Sequence, residues 1–519
     1  MSKLNKDILF LIFNELQNNS SDLFSCLMVN KYWCETVIPI LWKNPWRFNI
    51  DYHKSSLYSI VVSYLPDNMK GFLAKEGIHI SDKSLAIDYL SFCKSINMNV
   101  IDDIISTESS PGYYRSLLQE ELYNTLMKKC PGIKYLDIRS DYQIFCLPCI
   151  LESKPRLESL CELACNTSTD PNYFYRLARI CQRIQRIIII NKNAKANHGI
   201  TILIEAQKNL KYFKWMDHFN EEYCLEIFEG FNKDPYTESF YALRKHADTL
   251  NHIEISIQHD RISNYYDIYD NQNYIFLQYT LLELYKLKTL KVSSPVFLNS
   301  EVFEEKLETV AFPDLEILEK NVIDIYQATC IIKNSVCLKE LWIYKYRFDC
   351  DRFSDDSLNF IRTIRENCEL IEYLTIPVFP LSDNHLAEFE LLLKRCQNLR
   401  SLAFRDSRCR ENRRKEIEYG IDLSNVIIRA APFSLKEIEF SYDIWFSSKT
   451  LRTFFEMWKG RPAISIQTCV HFYRSNYLVK LIDEYKTSGV IKDFTILNSS
   501  YAFYGDLHQE PFSGSDFYI

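Results

Sequence analysis

Along most of the chain the apolar positions repeat one phrase: an apolar residue, a second three positions on, and a third two positions after that. It reads Ile133/Leu136/Ile138, Ile184/Ile187/Ile189, Leu210/Phe213/Trp215, Leu250/Ile253/Ile255 and Leu287/Leu290/Val292. It continues as Leu338/Leu341/Ile343, Ile371/Leu374/Ile376, Leu399/Leu402/Phe404, Leu435/Ile438/Phe440 and Ile491/Phe494/Ile496, with weaker copies beginning at Leu157, Leu315 and near Arg461. In a strand, successive side chains point to opposite faces, so the last two apolar positions of a phrase face a core and the residues between them face away. The stretches between phrases change period. Leu358, Ile361 and Ile364 fall at helix spacing within residues 353–367, and Leu386, Phe389, Leu392 and Leu393 do so within residues 385–395. Copies lie about 23–40 residues apart, a spacing that marks stacked supersecondary units. A strand-plus-helix unit cannot bury its apolar face alone, and neighbours stacked on it do so jointly. The pattern therefore predicts an α/β solenoid with a parallel inner sheet and outer helices.

The first forty-odd residues follow a different rhythm. Ile8, Leu9, Ile12, Phe13 and Leu16 recur at helix spacing over residues 7–17, and Phe10 and Leu11 add apolar surface on the remaining flank. A short helix that is apolar on most sides must be covered on most sides, and a small module of its own covers only part of it. Ser20-Ser21-Asp22 offers an N-cap for a second helix through Val29. Residues 31–38 read as a third, stopped near Pro39 and closed by Leu41 and Trp42. Further on, residues 57–65, 85–96 and 114–127 read as helices punctuated by Pro66 and Pro111-Gly112. The expected organisation is a three-helix module (1–48), a helical connector capping the first repeat (49–129), the repeat array (130–497) and a tail (498–519). The polar stretch from Asn264 to Asn273 reads as a loop inserted over one rim.

Net charge of −7 and an isoelectric point near 5.9 disfavour nucleic acid or an anionic membrane as partner. No apolar run approaches the length of a membrane span. Ile8 to Phe13 is too short for a secretory signal, with no small-residue cleavage site after it. The 17 cysteines, an odd number without regular pairing, fit a reducing cytoplasmic or nuclear setting. Cys130, Cys181, Cys368 and Cys396 each stand three residues before a phrase, where a small apolar thiol suits a crowded turn from helix into strand. Cys146 and Cys149 form a CxxC with no second ligand pair nearby, so no metal is expected. Walker, GxGxxG, GxSxG and HExxH motifs are absent, and nothing argues for a catalytic residue or a cofactor. The one marked basic cluster, Arg405, Arg408, Arg410, Arg413, Arg414 and Lys415, could pair with phosphate or with an acidic partner segment. Glu411, Glu416 and Glu418 dilute it, so it reads as a solvated loop and helix start.

The order Leu4, Asp7-Ile8-Leu9, Ile12-Phe13, Leu16, Asp22-Leu23, Cys26, Val29, Lys31, Trp33 and Leu41-Trp42 resembles an F-box. The array resembles the leucine-rich-repeat half of F-box proteins that carry such repeats, in their divergent fungal form. Asn5 stands where that family usually has Pro, and the Asn of the standard repeat consensus is mostly absent. The resemblance implies that Leu4, Ile8, Leu9, Ile12 and Phe13 face a Skp-family adaptor, which links to a cullin, while Leu23, Val29 and Trp33 hold the module together. It implies a substrate receptor for ubiquitin-dependent degradation, not an enzyme, with a protein cargo on the repeats. By strand alternation Trp342 and Tyr344, Tyr373 and Thr375, Arg405, and Glu437 and Glu439 line the inner face, and aromatic and Arg side chains are the usual anchors of interfaces. A second reading keeps the solenoid and drops the ligase: a repeat scaffold for a protein partner.

Overall fold

A computed structural model describes residues 5–17, 19–47, 54–75, 85–108, 113–140, 154–192, 195–218, 235–257, 275–293, 301–347, 351–405, 413–441, 444, 446–468 and 476–496. They fall into two compact units, one up to His246 and one from Ala247 onward.

The first unit opens with α1 (Lys6–Glu15), α2 (Ser20–Leu27) and α3 (Lys31–Leu41). Each starts on an Asn side chain. The Oδ1 of Asn5 accepts from the Asp7 amide (3.4 Å), that of Asn19 from Asp22 (3.3 Å) and that of Asn30 from Trp33 (2.9 Å). The cap of α2 is thus Asn19, one residue before the Ser20-Ser21-Asp22 expected. The third helix runs through Pro39 to Leu41 rather than stopping there. Pro lacks the N–H that would bond the carbonyl of Glu35, and Glu35 is exposed, so water can take that carbonyl.

Five parallel strands follow, β1 (Ser95–Asn97), β2 (Tyr135–Ile138), β3 (Glu162–Asn166), β4 (Arg186–Asn191) and β5 (Tyr212–Asp217). They pair in chain order, with Ser95, Tyr135, Glu162, Arg186 and Tyr212 in one register row. The helices Met98–Glu108, Tyr113–Lys129, Pro171–Ile180 and His198–Glu205 lie in the connections. Among the described residues the second unit repeats the scheme with nine strands: β6 (His252–Ser256), β7 (Thr289–Ser293), β8 (Ile317–Asp324), β9 (Glu340–Arg347), β10 (Tyr373–Pro377), β11 (Ser401–Arg405), β12 (Glu437–Phe440), β13 (Ile464–Thr468) and β14 (Ile491–Ile496). Every one pairs in parallel with the next. In nine of the ten clear phrases all three apolar residues are buried. In the last, Phe494 and Ile496 are only half-buried, on β14.

Three expectations change. Residues 85–96 are not a helix: a single tight turn at Tyr89–Phe92 leads into β1. Strand pairing with β2 and the indole N–H of Trp46, which donates to the Ser95 carbonyl at 2.7 Å, override the local spacing. Cys93, Ile96 and Met98, all buried, form a further phrase there. The weak copy begun at Leu157 sits one turn later, as Leu160/Leu163/Cys165. The copy from Leu315 keeps its register but has Lys320 at its third position, fully inside the unit, where burial and then Arg347 bring its ammonium down to about 7.

Cys130, Cys181, Cys368 and Cys396 are all buried. The Cys181 thiol donates to the Leu157 carbonyl (3.4 Å) and the Cys396 thiol to the Cys368 carbonyl (3.6 Å), in each case the equivalent position of the preceding repeat. Burial pushes the Cys181 and Cys396 thiols up to about 12, so both stay protonated packing groups. The consensus Asn has local counterparts in the first unit. Asn191 accepts from the Thr167 hydroxyl (2.9 Å) and donates to Asp217 (3.0 Å), which also accepts from the Trp215 indole (2.9 Å) and the Tyr236 hydroxyl (2.8 Å).

Gly199 marks a close helix approach: a Cβ there would lie 2.4 Å from the Pro171 carbonyl oxygen and 2.8 Å from its Cα. Gly199→Ala is predicted to destabilise the first unit by about 1–3 kcal/mol through overpacking. A lower urea midpoint for that unit's transition is the expected reading, and an unchanged midpoint would contradict the close approach.

Candidate functional site

Two surfaces have the character of binding sites. The first is on α1. Leu9 and Phe13, at 1% exposure each, point into the module, where Phe13 meets Trp33 edge-on with ring centroids 5.1 Å apart. Leu23 and Val37 are buried with them. Ile8 (48%), Phe10 (44%), Leu11 (65%) and Ile12 (44%) are exposed, and Met28 (86%), Val29 (55%) and Tyr32 continue the apolar surface on the neighbouring helices. The expected adaptor set therefore divides. Ile8 and Ile12 face outward as expected; Leu9 and Phe13 do not, because residues four apart share one helix face and theirs is the face that packs on the module. Leu4 lies outside the described residues. Val29, expected to hold the module together, is exposed, while Leu23 and the half-buried Trp33 do pack inside. Phe10, Leu11 and Met28 enlarge the surface beyond the residues singled out.

The second surface is the inner face of β7–β12. Trp342 and Tyr373 pack at 5.4 Å between ring centroids, with planes 30° apart. The Trp342 indole N–H donates to Glu340 Oε2 at 2.9 Å. The Tyr344 hydroxyl donates to Glu319 at 3.2 Å, and Lys291 pairs with the same carboxylate at 3.1 Å. The Arg405 guanidinium stands 5.9 Å from the Tyr344 ring and pairs with Glu439. Glu437 is exposed beside them. Six of the seven inner-face residues picked from the sequence thus share one surface on four consecutive strands. Thr375 does not join it. Its hydroxyl is buried, accepting from the Ile343 amide (2.7 Å) and donating to the Leu341 carbonyl (3.1 Å), where the ladder between β9 and β10 stops after Leu374.

Burial, and after it the Glu319 charge, pushes the Tyr344 hydroxyl up to about 12, so it remains a donor at neutral pH. Burial works to lower the Lys291 ammonium, but Glu319, Glu254 and Glu340 outweigh it and leave it raised and charged. Lys291, Glu319 and Glu340 were missed in the sequence reading. The signal was present: each is the residue beside or between the apolar positions of its phrase. Of the basic cluster, Arg405 ends β11 and is paired. Arg408, Arg410, Cys146, Cys149, the 264–273 loop and the 498–519 tail lie outside the described residues. Among the described residues no group of three His, Cys, Asp or Glu side chains could hold a metal, and no helix is long and apolar enough to cross a membrane.

No family model matches the chain, and no curated protein is similar to it.

The two faces of α1 give opposite expectations for single substitutions. Phe13→Ala is predicted to cost the module about 3–5 kcal/mol, whereas Leu11→Ala stays within about 0.5 kcal/mol. Amide hydrogen exchange in α3 should quicken for the first and stay unchanged for the second; equal effects would overturn the assignment of faces.

Proposed function

We propose that the chain is the substrate-recognition subunit of a Skp–cullin–F-box ubiquitin ligase. It would meet the Skp adaptor through α1 and its neighbours and hold a protein cargo on the repeats, in the cytoplasm or nucleus, and it would catalyse nothing itself. The observation that carries this reading is the run Ile8, Phe10, Leu11 and Ile12, exposed on a helix whose other face is already packed. Contiguous exposed apolar surface of this kind marks an interaction site. The order of residues around it supplies the kind of partner. A receptor of this sort acts by proximity: cargo held on the repeats experiences a high local concentration of the conjugating enzyme recruited through the adaptor. Asn5, in place of the family's usual Pro, favours a second reading, a repeat scaffold that binds its partner outside any ligase.

The test uses the full chain and purified Skp adaptor. Ile8→Asp with Ile12→Asp would bury charge in the interface, which is strongly unfavourable when unpaired. The expected outcome is loss of co-elution with adaptor by at least about a hundredfold in affinity, or about 2.7 kcal/mol, with the circular dichroism of the repeats unchanged. Co-elution that survives the double substitution would rule out this docking surface.

A further inference from the structure

With the inner sheet face of the second unit read as the cargo surface, the residues it presents define what that face selects. Strand register places Glu340, Tyr373, Ser401 and Glu437 side by side in one row across β9–β12. Neighbouring strands are about 4.8 Å apart, so the backbones of Glu340 and Glu437 bracket the row at roughly 14 Å, with an aromatic and a small residue between them. Trp342 packs on Tyr373 and fixes Glu340 through its indole N–H. The rows beyond it contain the chain's own cations, and there the charges cancel: Lys291 against Glu319, Arg405 against Glu439. Arg405 shows how this surface holds a guanidinium, with an aromatic ring (Tyr344) on one side and a carboxylate on the other. The row of Glu340, Tyr373 and Glu437 offers the same two kinds of group. Among the described residues neither of its carboxylates is in an ion pair with a cation of this chain.

We infer that this row receives an arginine side chain of a bound polypeptide. The guanidinium lies against the Tyr373 ring, in the space above Ser401, with its N–H groups pointing to Glu437, and Glu340 on the far side of Tyr373 adds its negative charge. Charge complementarity selects a cation. The flat aromatic wall favours the planar guanidinium over the compact, strongly hydrated ammonium of lysine. The cargo class is therefore a basic, arginine-bearing segment, in keeping with a chain of net charge −7.

The test titrates the full chain with fluorescein-labelled peptides of four Gly-Arg, Gly-Lys or Gly-Glu repeats and follows anisotropy. The Gly-Arg peptide should bind most tightly, Gly-Lys more weakly and Gly-Glu not at all, and the Gly-Arg affinity should fall as salt is raised. Glu340→Gln with Glu437→Gln, a near-isosteric change at accessible positions, should weaken Gly-Arg binding about tenfold or more. Tyr373→Leu should weaken it while leaving the circular dichroism unchanged. Absence of Gly-Arg binding, equal binding of Gly-Arg and Gly-Glu, or full affinity in the Gln variant would each overturn the inference. The Gln variant should still co-elute with adaptor. Adaptor binding without peptide binding would sink this inference and leave the ligase reading, and peptide binding without adaptor binding would do the reverse.

Discussion

Six consecutive apolar residues, Ile8 to Phe13, lie on a helix of ten, and only Leu9 and Phe13 reach a core. The functional account depends on that imbalance. The other four are 44–65% exposed, so covering each is worth about half of the roughly 1.5–3 kcal/mol of complete burial. Together they yield about 3–6 kcal/mol, while bringing two proteins together costs about 4–15 kcal/mol. The stripe on α1 alone would thus barely hold a partner. Met28, Val29 and Tyr32 on the adjacent helices supply the further apolar area that turns a weak contact into a stable one. A surface so composed is a standing cost to a protein that keeps it exposed, and a partner that closes over it removes that cost.

The repeats obey a related constraint, met within the chain. Each phrase buries its apolar residues only because the next strand is hydrogen-bonded alongside, so the helices and sheet form by mutual cover. What the inner faces then carry differs from strand to strand. In β4 Ile188, between two phrase positions, and Ile190, just after them, are buried as well. In β6–β9 burial alternates, and Glu254, Lys291, Glu319 and Trp342 are only partly covered. The aromatic rings and carboxylates of these strands remain reachable.

Much of the sheet was legible in the sequence because a repeated pattern is read many times over. A single ambiguous copy is corrected by its neighbours, and the cysteine rule holds for the same reason. The misreadings fall where one local signal competed with a tertiary one. Residues 85–96 have helical spacing, but pairing with β2 and the Trp46 hydrogen bond make them a turn and a strand. In a helix apolar on all sides, periodicity cannot say which face is the core, so Leu9 and Phe13 were grouped with Ile8 and Ile12. Lys320 shows that a charged residue can keep a core position when the strand register is fixed by the residues around it. The inner-face patch follows from alternation alone; Glu319 and Glu340 have the same signal, but their contacts with Tyr344, Lys291 and Trp342 became visible only once the strands were placed side by side.

The claim that a second protein covers α1 is tested most directly by amide hydrogen exchange on the full chain, alone and with saturating Skp adaptor. The account predicts slowed exchange over residues 5–17 and 20–32 when adaptor is present, and unchanged exchange in β6–β14. Exchange in those helices that is identical with and without adaptor, at concentrations where the adaptor binds an authentic F-box, would contradict it.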